Sequence, residues 1–246
     1  RVTAEEIDTD HWPIRLLASA FGATVITTNY DTIAEIVLAN HVNATHCRSG
    51  ATCPHCRMRS VLSYDCSCET LSQPDEQMWK GSILKLHGSI TWSTCLNPCC
   101  SDEPCIQSTC DCRPASSPRC SCCGCPCSPV LIPPTNREKR YEQYPELKRM
   151  WNGAVNALVE ASEIVVFGFS FPESDIPIRQ LWSRCLAKNT NLDSLTIIDV
   201  CPEKVLSKIE EFTHLKTSPR VHCLNSPADF SRPDWIRQAG ATARHS

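Results

Sequence analysis

Cysteine is the residue type that carries the most chemistry in this sequence. Of 19 cysteines in 246 residues, all but Cys185, Cys201 and Cys223 lie between Cys47 and Cys127. Tight pairs recur there: Cys53-x2-Cys56, Cys66-x-Cys68 and Cys122-x2-Cys125. Thiolates at such spacing can close on one metal ion, whereas a disulfide-stapled secreted protein spreads its cysteines through a small chain. Neighbours such as Cys99 and Cys100 bridge poorly to each other, yet each can reach a metal. The spacing therefore points to zinc thiolates in a reducing compartment, intracellular and either cytoplasmic or nuclear, with disulfides as the alternative. Between Cys95 and Cys127 the only large aliphatic residues are Leu96 and Ile106. A hydrophobic core is not expected from so few, and metal binding is the expected source of order.

A second group of polar residues stands where short apolar runs stop. Thr28-Asn29-Tyr30-Asp31, His87-Gly88-Ser89 and Gly168-Phe169-Ser170 each follow such a run. A carboxylate and a carboxamide can orient and stabilise a developing positive charge, and an imidazole can accept a hydroxyl proton near neutral pH. In open parallel sheets the ligand sits outside the carboxyl ends of the strands, so three such ends in one sheet would converge on one crevice, where a dinucleotide would lie. Taken singly, each has a simpler reading. An Asn-Asp turn ordinarily serves as a helix entry, and a lone histidine ordinarily belongs to the surface or the core.

The elements that must position these groups follow from periodicity. Residues 12–21 read as a helix, 23–28 as a strand, and 32–40 as a helix with Thr32 and Glu35 at capping-box spacing. Residues 47–80 read as loop, and 82–86 as a short strand. Beyond Pro129, Leu147, Trp151, Ala154, Leu158 and Ala161 recur at helical spacing. Residues 164–167 make a buried-type strand. Ile178, Leu181, Trp182, Cys185 and Leu186 mark a helix, 195–198 a strand, Val205, Leu206, Ile209 and Phe212 a helix, and 221–224 a last strand. The strands lack polar alternation, which predicts a parallel sheet covered by helices. The expected fold is α/β, a Rossmann-like parallel sheet with helices on both faces, built from residues 1–46 and 128–225. A Cys-rich zinc-binding insert occupies 47–127, and a peripheral polar tail covers 226–246. With 41% hydrophobic and 21% charged residues the chain reads as globular. Its net charge of −3 gives no electrostatic case for nucleic acid, and no apolar run reaches the ~18 residues of a membrane span.

In chain order, Thr27-Thr28-Asn29-Tyr30-Asp31, Lys85-Leu86-His87-Gly88-Ser89, the Cys-rich insert and the run from Gly168 through Phe171 to Asp175 resemble the sirtuin-like family of NAD-consuming enzymes. The likeness is closer to its divergent branch that includes NAD hydrolases. It implies that Asn29 and Asp31, with Thr28, line a nicotinamide and ribose pocket. It implies His87 as general base on the nicotinamide ribose, and Gly168 and Ser170 as the loop holding the adenosine-side ribose. It further implies a zinc on Cys95-x3-Cys99 and Cys122-x2-Cys125, with Cys100 and Cys123 as substitutes because the doublets leave the register open. Cys53, Cys56, Cys66 and Cys68 remain for a second site that the family does not imply, and His46 and His55 read as solvated loop residues.

Two departures shape the functional expectation. The family's glycine-rich phosphate loop is absent, so the sequence reads as a fragment lacking the first βα unit, the alternative being a cofactor site that has lost its phosphate cradle. Ile132-Pro133-Pro134-Thr135-Asn136 stands where deacylating members pair with an acyl-peptide backbone, and two prolines remove donors from that pairing. The implied activity is hydrolysis of the nicotinamide–ribose bond of free NAD. The alternatives are NAD-dependent deacylation of an acylated protein substrate, a non-catalytic zinc-stabilised interaction domain, and a metal store.

Overall fold

The computed structural model describes residues 23–34, 83–97, 106–108, 119–120, 122–134 and 140–226. The expected helix over 12–21, most of the helix over 32–40, the loop over 47–80 and the tail beyond 226 lie outside them. The described residues fall in two compact units, one within residues 1–133 and 140–150, the other within 134–139 and 151–246.

In the first unit β1 (Val25–Thr27) pairs in parallel with β2 (Ile83–Lys85), Val25 opposite Ile83 and Thr27 opposite Lys85. The chain then turns through Leu86 and His87 directly into β3 (Gly88–Thr94), whose GSITWST sequence is rich in β-branched residues. This strand lies between β4 (Ile106–Ser108) and β5 (Ser128–Leu131) and pairs antiparallel with both. Gly88 makes the turn possible. It has φ +88°, and a Cβ there would stand 2.1 Å from the Val130 carbonyl oxygen. Six of the seven β3 residues are buried, all but Ile90, and Trp92 and Val130 are almost fully enclosed.

A short 3-10 turn at Arg140–Gln143 leads into α1 (Pro145–Glu160), which opens in the first unit and runs on into the second. There, β6 (Glu163–Phe167), β7 (Ser194–Ile198) and β8 (Arg220–Leu224) form a parallel sheet in that order. Their register is regular from Glu163–Ser194–Arg220 to Phe167–Ile198–Leu224. Central β7 is buried at four of its five positions, as its unbroken aliphatic run requires. The strands are joined through α2 (Ile176–Leu186) and α3 (Pro202–Phe212), and α3 packs on β7 and β8. Pro145, Pro177 and Pro202 each stand in a first helical turn, where a missing N–H costs nothing. Asn189, itself buried, closes the unit's base: its amide donates to the Leu158 and Ala161 carbonyls at 2.8 Å each and accepts the Asn191 N–H at 2.7 Å.

The described residues thus form a mixed α/β fold with two small parallel sheets and one antiparallel sheet. Within the stretch from Cys95 to Cys127 the described strand β4 pairs antiparallel with β3, a backbone pairing that aliphatic counting does not reveal. Among the described residues no helix is long and apolar enough to cross a membrane.

Candidate functional site

Because β1 and β2 run in parallel, both chains leave their sheet at the same edge. The Leu86 N–H donates to the Thr27 carbonyl at 3.0 Å, continuing the pairing by one step. Beyond it, the Asn29 N–H donates to Thr27 Oγ1 at 3.1 Å. Asp31 Oδ1 accepts the Ile33 N–H at 2.9 Å, so Asp31 caps the helical turn that follows.

The His87-Gly88-Ser89 turn is held from two sides. The Tyr30 carbonyl accepts the Ile90 N–H at 2.9 Å and the Ser89 hydroxyl at 3.3 Å, while the His87 carbonyl accepts the Ile132 N–H at 2.8 Å. The Tyr30 hydroxyl donates to the Ile132 carbonyl at 2.8 Å, and its ring stands 6.4 Å from the His87 imidazole. The structure therefore brings Thr28, Asn29, Asp31 and His87 to one edge. Asn29 is exposed, Thr28 and Asp31 are half-buried, and His87 is enclosed at 4% exposure. Lys85, 1% exposed, reaches from β2 to donate to the Asp31 carbonyl. An ammonium held inside the fold by the backbone of the Asn-x-Asp turn is part of this site. The sequence carried a signal for it, since the lysine stands two residues before His87.

A second cluster forms where β3 ends. Cys95, Cys120 and Cys123 place their sulfurs within 4.8 Å of one another, and Cys95 Sγ lies 3.6 Å from Cys123 Sγ. Four sulfurs at the usual ~2.3 Å around one zinc stand about 3.8 Å apart, so this separation fits a tetrahedral thiolate site. The backbone builds the cluster as a tight knuckle. The Cys120 N–H donates to the Cys125 carbonyl at 2.8 Å, and the Gly124 N–H donates to the Cys120 carbonyl at 2.9 Å. The Cys122 N–H donates to Cys120 Sγ at 3.4 Å, and Gly124 supplies the left-handed conformation with φ +70°. Cys122 is exposed and stands outside the group. Cys125 lies 3.2 Å from the Asn97 side-chain amide instead. Burial pushes the Cys127 thiol up, and the neighbouring Cys120 and Cys123 push it further. Cys99, Cys100, Cys53, Cys56, Cys66 and Cys68 lie outside the described residues.

In the second unit Gly168 and Ser170 leave the carboxyl edge of the β6–β7–β8 sheet, as expected. Gly168 is left-handed, with φ +60°, and no atom lies within 4 Å of where a Cβ would be. Its N–H donates to the Ile198 carbonyl at 2.9 Å. A cavity of about 300 Å³ lies between α3 and the starts of β7 and β8, lined by Leu195, Leu206, Ile209 and Val221 among others. It is at the opposite end of these strands from Gly168 and holds none of the expected site residues.

Compared with known families, residues 23–218 match the SIR2-like domain. The chain belongs to the SIR2-like family. A comparison with curated proteins found no match. Members of the SIR2-like family are generally NAD-dependent enzymes, which fits the motif order from Asn29 to Ser170. For this member, the match spans the β1–β2 edge, the thiol cluster and the Gly168 loop. Within it the described thiol group is Cys95, Cys120 and Cys123; of the metal ligands expected, Cys95 and the substitute Cys123 are present and Cys120 is an addition.

Proposed function

We propose that this SIR2-like chain hydrolyses the nicotinamide–ribose bond of NAD. The observation that carries the reading is the parallel pairing of β1 and β2, which delivers the Asn-x-Asp turn and His87 to one sheet edge. As nicotinamide leaves, positive charge builds on the ribose. Asn29 and Asp31 are placed to orient the ring and offset that charge, one Asp31 oxygen being fixed by the Ile33 N–H. His87 accepts a ribose hydroxyl proton, and water attacks the anomeric carbon. In the second unit, the family resemblance assigns the adenosine-side ribose to the loop of Gly168 and Ser170.

Hydrolysis is favoured over deacylation by Pro133 and Pro134, both exposed directly after β5 and its extension at Ile132. Neither can donate a backbone hydrogen bond to an acyl-peptide. Cys95, Cys120 and Cys123 would hold a zinc through their thiolates. That zinc, when bound, supplies structural cross-linking of β3 to the Cys120 knuckle. Thiols in this state suit a reducing intracellular compartment.

The test is nicotinamide release by the full-length protein, with and without an acetyl-lysine peptide. The parent is expected to turn over NAD without the peptide. His87→Ala should lower the rate by roughly 10²–10⁴, and Asn29→Ala should lower it through lost positioning. Circular dichroism on each variant separates loss of chemistry from loss of fold. Strict peptide dependence would make the protein a deacylase, and unchanged rates in both variants would remove the site assignment.

A further inference from the structure

The segment from Gly168 to Ser170 is short, exposed at both ends, and tied to the sheet through the Gly168 N–H. A loop that must be ordered by its ligand loses affinity to that ordering. Two features fix its shape in advance. Phe171, the residue after it, has φ +48°, a region that bulky side chains avoid. It is held there by full burial in an aromatic box, its ring 4.7 Å from the rings of Phe169 and Trp182 and 5.5 Å from Phe212. Arg179 caps the box, its guanidinium 4.8 Å from the Phe212 ring centre. The second feature is Lys208. From the middle of α3 its ammonium donates to the Ser170 carbonyl at 3.0 Å. A charged donor on a backbone carbonyl makes a stronger tie than a neutral one, and Phe171 prevents the far end of the loop from following any other path.

We propose that Lys208 is a positioning residue: by pinning the Ser170 carbonyl it keeps Gly168–Ser170 in the shape that receives the adenosine-side ribose. The proposal rests on the NAD reading above. It assigns Lys208 no contact with substrate; the lysine acts through the loop.

Full-length Lys208→Met, Lys208→Arg and Lys204→Met proteins test it by titration with ADP-ribose, by NAD kinetics and by amide exchange without ligand. Lys204 is exposed one turn earlier on α3, so its replacement removes the same charge without the bond. Lys208→Met is expected to weaken ADP-ribose binding roughly five- to tenfold, the net worth of one hydrogen bond that, like this one, is exposed to solvent. The kinetic loss should fall on KM and not on kcat, and amides 168–171 should exchange faster than in Lys204→Met. Lys208→Arg should recover most of the affinity, because a guanidinium can donate to the same carbonyl. Equal affinities in Lys208→Met and Lys204→Met would overturn the positioning role while leaving the NAD reading intact. A parent protein that binds no ADP-ribose would overturn both, and faster exchange in Lys208→Met would then show a tie that serves the fold alone.

Discussion

Four cysteines at near-equivalent spacings show how much a single residue's conformation decides. Cys120, Cys122, Cys123 and Cys125 offer two x2 pairs, and the spacing treats them alike. What separates them is the knuckle closed by the Cys120 N–H on the Cys125 carbonyl and by left-handed Gly124, which turns Cys120 and Cys123 toward Cys95 and leaves Cys122 outside. Replacing Cys120 or Cys123 by serine is therefore expected to lower the zinc content of reduced, purified protein well below that of the parent. Cys122→Ser should retain it. Elemental analysis reads the difference, and a Cys122→Ser protein without zinc alongside a loaded Cys120→Ser would reverse the register. That register was not legible in the sequence, because it depends on which backbone groups pair inside a six-residue turn. The Asn29, Asp31 and His87 placement was legible, because strand ends in parallel pairing share an edge whatever the details.

At the scale of elements, the helices and parallel strands after residue 145 were readable because amphipathic spacing and tertiary burial agree. All five α2 residues marked by periodicity, Ile178, Leu181, Trp182, Cys185 and Leu186, are buried. Strand β3 was missed because Gly88-Ser89 looks like punctuation, and its buried serine and threonine positions give no hydrophobic alternation. The strand begins at Gly88 because only glycine fits there. Gly88→Ala forces a Cβ to 2.1 Å from the Val130 carbonyl at a positive φ, and should cost about 3 kcal/mol or more. Denaturant unfolding measures this, and a variant within 0.5 kcal/mol (the usual scale of a neutral change) would mean that β3 and β5 separate readily. Asn189→Ala is the matching test in the second unit. It strands two carbonyls and an N–H that the amide satisfies, and should destabilise by about 2–3 kcal/mol.

For the molecule as a whole, the two compact units draw on different sources of order. The second buries Leu195, Ile197, Ile198, Val205 and Ile209 around a regular parallel sheet. Among the described residues of the first, β1, β2 and β4 contribute three residues each, and strands so short rarely persist without further support. Its thiol group joins the end of β3 to the Cys120 knuckle, so the binding energy of a metal held there would become folding energy. Chelation of the reduced protein should then act unevenly. Amides of β3 and β5 are expected to exchange at least roughly tenfold faster after the metal is removed, whereas those of β7 should keep their protection. Hydrogen exchange followed by segment, with zinc added back as the control, measures both in one sample. Loss of protection in β7 to the same degree would show that metal orders the entire chain. Unchanged β3 would show that its pairing with β5 and the packing of Trp92 and Val130 suffice alone. The uneven outcome expected here would tie the Cys-rich region to the unit that holds Asn29, Asp31 and His87, giving its thiols a structural part in presenting that edge.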